Sequence, residues 1–140
     1  MSESEIRELL ESRSDAIRSK DIDRLMSFYR PDIVYFDIVP GLQYVGSDAL
    51  RPRFLEWFDG FEGPIRQEIG ESNVVVSGDV AVAYMLIHAG GTPKGGTEVD
   101  YWVRGTSVFQ RSGDRWLIVH EHVSVPVDFA TGSPAMDLVP

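Results

Sequence analysis

The chain contains no cysteine, which excludes a disulfide framework, a zinc–thiolate site and a cysteine nucleophile. Lysine is nearly absent too: Lys20 and Lys94 are the only two, and the formal net charge is −9. Such a surface repels phosphate backbones and anionic bilayers, so neither nucleic acid nor membrane is an expected partner. The longest apolar run, Val80 to Ile87, is far shorter than the ~20 residues of a membrane span. The start, Met1-Ser2-Glu3-Ser4-Glu5, is acidic and lacks the basic and apolar regions of a secretory leader. A soluble, cytoplasmic protein is expected. Nucleotide-binding glycine motifs are missing as well. The stretch Gly90-Gly91-Thr92-Pro93-Lys94-Gly95-Gly96 follows neither phosphate-loop order and reads as a flexible connection between strands. No serine nucleophile elbow occurs, which leaves acyl transfer without support.

What remains is globular. Hydrophobic residues make up 43% and charged residues 25% of 140 positions, values of a folded domain. Ser2 with Glu5 has the spacing of a capping box, and Ile6, Leu9, Leu10, Ala16 and Ile17 follow at helical intervals. Asp21 is placed to cap a second, shorter helix bearing Ile22, Leu25, Met26 and Tyr29, which Pro31 is expected to stop. Ile33 to Phe36 reads as a strand and Pro40-Gly41 as a turn. A third helix is expected between Ser47 and Asp59, with Phe54, Trp57, Phe58 and Phe61 on one face and Pro52 near its start.

From Pro64 the pattern changes to four long apolar runs, roughly 64–77, 79–89, 97–111 and 115–125. Ser77-Gly78-Asp79 and Ser112-Gly113-Asp114 are the tight turns of an antiparallel meander. Neither a linker nor a repeat interrupts residues 1–140, so one α+β domain is predicted, with helices against one face of the sheet. Gly105, inside a strand, is a candidate bend.

The order helix, helix, strand, aromatic helix, four-strand meander resembles the nuclear transport factor 2-like superfamily, which includes ketosteroid isomerase, the SnoaL polyketide cyclases and the kinase association domain. Three segments carry the resemblance: DIDRLMSFYRPDIVYFDIVPGLQYVG (Asp21 to Gly46), VAVAY (Val80 to Tyr84) and RGTSVFQRSGDRWLIVHEHVSVP (Arg104 to Pro126). It implies a cone-shaped half-barrel, with three N-terminal helices packed in the concave face of a curved antiparallel sheet around a ligand pocket, usually in a homodimer. The isomerase's general base would fall on Asp37 and the cyclases' catalytic aspartate on Glu121. The isomerase's oxyanion donors would fall on Arg13 and Gly105, neither of which is the tyrosine or protonated aspartate of that enzyme. The association domain's arginines would fall on Leu86, Ser107 and Val123, so none is kept.

The residues themselves point to the same acids. In the last strand, strict alternation puts Leu117, Val119, Glu121 and Val123 on one face and Trp116, Ile118, His120, His122 and Ser124 on the other. One carboxyl in an apolar file suits a proton-trading group in a pocket, with a pKa raised by desolvation. It equally suits a structural pair with an arginine such as Arg104. Asp37, after Tyr35-Phe36 at a strand end, reads as a base at the pocket mouth or as an acid bonding turn amides. His88 is a candidate proton relay if its strand presents Tyr84, Leu86 and His88 to the concave side, and otherwise a core histidine. Tyr35, Phe54, Trp57, Phe58, Tyr84, Leu86, Tyr101 and Val123 are the expected ligand-binding walls, some of them doubling as plain core. His120-x-His122 lacks a clear third ligand, and the resemblance puts both on the outer face, so no metal site is assigned.

The expected function is a cofactor-free isomerase, cyclase or hydratase acting on a hydrophobic carbonyl-bearing small molecule. Asp37 or Glu121 would move the proton, His88 would assist, and Tyr84 and Tyr101 would donate to an enolate oxygen. The alternative is a non-catalytic ligand-binding or association domain using the same pocket. A homodimer is expected through the outer sheet face, with Trp102, Thr106, Trp116, Ile118, His120 and His122 in the interface.

Overall fold

Apolar spacing produces the three helices close to where the pattern puts them. In the computed structural model, which describes residues 2–140, helix α1 (Ser2–Arg18) buries Ile6, Leu10, Ala16 and Ile17, with Arg13 and Ser14 among them. Ser2 lies inside the helix rather than capping it, and its hydroxyl accepts a hydrogen bond from Arg111 Nη2 at 3.0 Å. Helix α2 (Ile22–Met26) is capped as expected: the Asp21 carboxylate accepts from the Arg24 N–H at 3.2 Å, satisfying an orphan donor of the first turn.

Helix α2 ends well before Pro31, which instead lies within strand β1 (Tyr29–Phe36). The short strand β2 (Tyr44–Val45) pairs only with Val34 and Tyr35. At Pro31 β1 is therefore a sheet edge, where a missing N–H leaves no ladder bond unmade. Helix α3 (Ser47–Asp59) buries Leu50, Phe54 and Phe58 and accommodates Pro52 in its second turn. Phe61, expected on that helix, opens the next strand.

Strands β3 (Phe61–Ser77), β4 (Val80–Pro93), β5 (Val99–Ser112) and β6 (Arg115–Ser124) form the predicted meander. The six-stranded sheet runs β2-β1-β6-β5-β4-β3 and is open at both ends. It is antiparallel throughout except between β1 and β6, which are parallel. A separate small hairpin, β7 (Val127–Asp128) with β8 (Ser133–Pro134), occupies the tail. The fold is thus α+β, three helices against a curved sheet.

Register irregularities shape this sheet. In the β5–β6 ladder Val108 pairs with His120 but Phe109 with Ile118, which leaves Val119 as an extra residue. A bulge of this kind bends the strand and changes which side chains face inward. Trp116 and Ile118 are accordingly buried core residues, 6% and 0% exposed, not members of the outer face. Glu121 still points inward, at 1% exposure, because it lies beyond the bulge. A second shift in β3, between Ile69 and Ser72, adds to the curl.

Strand β4 is apolar on both parities, VAVAYMLIH, and the chain buries the opposite set from the one anticipated. Ala81, Ala83, Met85, Ile87 and Ala89 face the helices. Tyr84, Leu86 and His88 therefore lie on the outer face, with Tyr84 48% exposed. Ala81, Ala83 and Ala89 in the inward set leave room for the helices and the cavity. Gly90 continues this strand in place of the expected loop, with φ of +141°. A Cβ there would lie 2.1 Å from the Val99 carbonyl oxygen, so only glycine allows β5 to approach this closely.

Candidate functional site

The inner face lines a cavity of about 310 Å³. Its sheet wall is built from a cross-strand row in which Gln67 pairs with Ala89 and Ala89 with Tyr101. The small Ala89 between two larger residues leaves the hollow. Val103 and Val123 extend this wall, α3 contributes Arg53, Phe54 and Trp57, and β1 contributes Tyr35 and, just past its end, Asp37. Arg13 reaches in from α1.

Asp37 stands in the cavity wall. Its Oδ1 accepts from the Ile38 N–H at 2.7 Å and its Oδ2 from Arg53 Nε at 3.0 Å. The turn-amide bond and the cavity position thus coexist. Both members of the pair are largely shielded, their side chains 12% (Arg53) and 9% (Asp37) exposed. Tyr101 shares the cavity; burial first, then the nearby negative charge of Asp37, push its phenol above the ordinary value, with Arg53 opposing.

Glu121 is elsewhere. It is absent from the cavity lining and sits behind Arg13, whose Nη2 donates to Glu121 Oε1 at 2.5 Å. The Tyr29 hydroxyl donates to the same oxygen at 2.7 Å and Ser107 Oγ to Oε2 at 2.6 Å. Arg13 Nε also donates to the Tyr29 hydroxyl at 2.9 Å. The carboxylate is therefore a fully partnered member of a buried network, and Arg13, not Arg104, is its cation. Burial alone would depress the Arg13 pKa, but Glu121 and the two tyrosines more than offset it and leave it raised.

His88 pairs with Asp100 and stacks on Trp102 at 4.8 Å, on the outer face and away from the cavity. It is not a relay to Asp37 or Glu121. His120 Nδ1 lies 2.7 Å from the Val34 carbonyl oxygen, and His120 and His122 flank Phe36 on the same outer side. Of the expected walls, Tyr35, Phe54, Trp57, Tyr101 and Val123 line the cavity. Tyr84 and Leu86 are on the other face, and Phe58, 5% exposed, belongs to the core. Neither expected oxyanion position offers a free acidic donor: Gly105 has no side chain and Arg13 is bonded to Glu121.

Arg53, Val103, Ala89 and Gln67 were not anticipated. Gln67 had a signal: it is the one polar residue in the inward file Ile65, Gln67, Ile69, the same pattern that singled out Glu121.

A family model for the SnoaL-like domain matches residues 6–128. The chain belongs to the SnoaL-like family. A nuclear transport factor 2-like protein of unknown function from Pseudomonas putida KT2440 is similar over 99% of this SnoaL-like chain and 96% of its own, with 33% identity and a TM-score of 0.91. The association domain of Caenorhabditis elegans calcium/calmodulin-dependent protein kinase II shares the fold, with a TM-score of 0.70, 18% identity and coverage of 88% and 95%. So does a candidate dehydratase of the nuclear transport factor 2-like family from Streptomyces avermitilis, with a TM-score of 0.73, 20% identity and coverage of 85% and 92%. No functionally curated protein matches the chain in sequence. Among the described residues no helix is long and apolar enough to cross a membrane.

The buried tyrosines give this SnoaL-like domain a predictable alkaline limit. Burial, reinforced by the Glu121 charge, raises both Tyr29 and Tyr35 well above the ordinary phenol value, with Arg13 opposing. The unfolded chain releases these protons near pH 10, whereas the native state holds them. Stability is thus fully present below pH 10 and falls above it, by about 1.4 kcal/mol per pH unit for each tyrosine. Denaturant unfolding between pH 8 and 11 will show this decline, and Tyr35→Phe will make it shallower. An unchanged slope in Tyr35→Phe would contradict the assignment.

Proposed function

We propose that this SnoaL-like domain binds a hydrophobic carbonyl-bearing small molecule in its cavity and moves a proton with Asp37, as a cofactor-free isomerase, cyclase or hydratase in the cytoplasm. The observation that carries this reading is a shielded carboxylate in a wall otherwise dominated by Tyr35, Phe54, Trp57, Tyr101, Val103 and Val123. Asp37 would take a proton from the carbon next to the carbonyl, and the electron pair would move onto the carbonyl oxygen. The Tyr101 hydroxyl, which has no protein partner among the described residues, is placed on the same cavity to donate to that oxygen. Returning the proton to another carbon would isomerise the ligand; handing it to a β-hydroxyl, which departs as water while the enolate electrons form the new C=C bond, would dehydrate it. A related fold occurs in the candidate dehydratase named above.

A second reading is non-catalytic ligand binding or association. It is favoured by the bonds Asp37 already makes to Arg53 and the Ile38 amide, which the base must loosen to act. NMR detection of deuterium exchange at the α-carbon of ketones that bind the protein separates the two. Exchange faster than in buffer supports proton transfer. Bound ketones with no faster exchange would leave the binding reading alone.

The outer sheet face is proposed to hold a second copy of the chain. Val75, Val80 and Tyr84 are 56%, 43% and 48% exposed there, beside the partly buried Leu86 and Trp102, and a monomer rarely leaves such a patch open. Trp116 and Ile118 drop out of the expected interface because the β6 bulge buries them. Light scattering after size exclusion should give twice the chain mass of 15.7 kDa; a single-chain mass at micromolar concentration would reject the dimer.

A further inference from the structure

The cavity wall includes two deeply buried residues, Tyr35 and Gln67, that are polar and neutral. Gln67 is 4% exposed, and its backbone carbonyl accepts a hydrogen bond from Arg18. Its side-chain amide has no protein partner among the described residues. The Tyr35 hydroxyl, also on a residue 4% exposed, is likewise without one. Both residues line the cavity, so these two polar groups are open to bond a molecule that enters it. Burial holds Tyr35 protonated, so it is available as a donor.

The charged groups on the same wall are already compensated. Arg13 is bonded to Glu121 and Arg53 to Asp37. The remaining charge, Glu56, is an exposed carboxylate at the rim. An entering anion would meet no free cation and would lose its hydration without return. A neutral carbonyl or hydroxyl group, by contrast, can take up the bonds that Tyr35 and Gln67 leave open.

We propose that Gln67 and Tyr35 are specificity-determining residues that select an electrically neutral ligand carrying a hydrogen-bonding carbonyl or hydroxyl group and exclude its carboxylate or phosphate counterparts. This rests on the reading that the cavity is a ligand site. It goes further in naming the charge class of the ligand and the residues that read it.

Three shape-matched probes test it by calorimetric titration of the wild-type protein: 2-acetylnaphthalene, 2-naphthoate and 2-ethylnaphthalene. The ketone should bind at least tenfold more tightly than the carboxylate. Gln67→Met and Tyr35→Phe, which remove a polar group while keeping most of its bulk, should each weaken the ketone by about tenfold, the scale of one lost hydrogen bond of ~1.4 kcal/mol. Neither change should weaken 2-ethylnaphthalene, and circular dichroism melts will confirm folding. Should one variant fail to fold, the other carries the comparison. Carboxylate binding as tight as that of the ketone, or ketone affinity unchanged in a folded variant, would overturn the proposal while leaving the cavity as a ligand site. Failure of all three probes to bind would overturn both.

Discussion

Glu121→Gln will destabilise the fold by about 3–5 kcal/mol, the usual consequence of stripping one partner from a buried ion pair. Arg13 and Glu121 have side chains only 4% and 2% exposed, so neither can turn to water when the other is neutralised. The amide keeps the shape of the carboxylate but leaves the guanidinium uncompensated, and one of its two ends can no longer accept from Ser107 or from the Arg13–Tyr29 pair. At this chain length the melting temperature should drop by roughly 10 °C or more. Added salt should change the loss little, since a buried pair is poorly screened. Replacing the network together, by Arg13→Met, Tyr29→Phe and Glu121→Leu, should recover most of the stability, because a packed apolar set avoids the desolvation of both ions. Thermal melts at neutral pH in low and high salt check each step. A Glu121→Gln protein as stable as wild type would refute the structural role and return Glu121 to consideration as a pocket acid.

Asp37→Asn will reduce ketone α-proton exchange by about 10²–10⁴, the span of general-base catalysis, while ligand affinity stays within about threefold. The substitution preserves the side chain's size and the bond its oxygen accepts from the Ile38 amide, so the cavity keeps its shape. What it removes is the carboxylate oxygen that would take the proton in the proposed reaction. Arg53 loses its charge partner, and Arg53→Met serves as the control: it disturbs the same pair but leaves the carboxylate, so exchange should persist in it. Parallel calorimetric titration and NMR exchange on wild type and both variants read the outcome. Full exchange in Asp37→Asn would remove Asp37 from the mechanism, and equal loss of binding in both variants would make the pair a structural feature of the cavity.

The contrast between these two acids shows how far local pattern reaches. Both were conspicuous in the sequence, Glu121 as one carboxyl in an apolar file and Asp37 as an acid at a strand end. Only tertiary contact distinguishes them, because Arg13 lies 108 positions from Glu121 and comes from a helix face that reads as amphipathic surface. Gln67 carries the same kind of signal in β3, and its importance lies in what it fails to touch, which no spacing rule reports.

Local chemistry by itself determined the elements: the cap at Asp21, the aromatic face of α3, the tight turns at Gly78 and Gly113 and the four-strand meander all follow from nearest-neighbour physics. The absence of cysteine likewise excludes disulfide and thiolate chemistry. Tertiary structure decided which face each strand presents. A single extra residue at Val119 sends Trp116 and Ile118 into the core while His120 and His122 stay outside, and strand β4, apolar on both parities, had no sequence preference to reveal. Side-chain direction in a strand has period two, so one inserted residue reverses it, and its cause is a pairing with a distant strand.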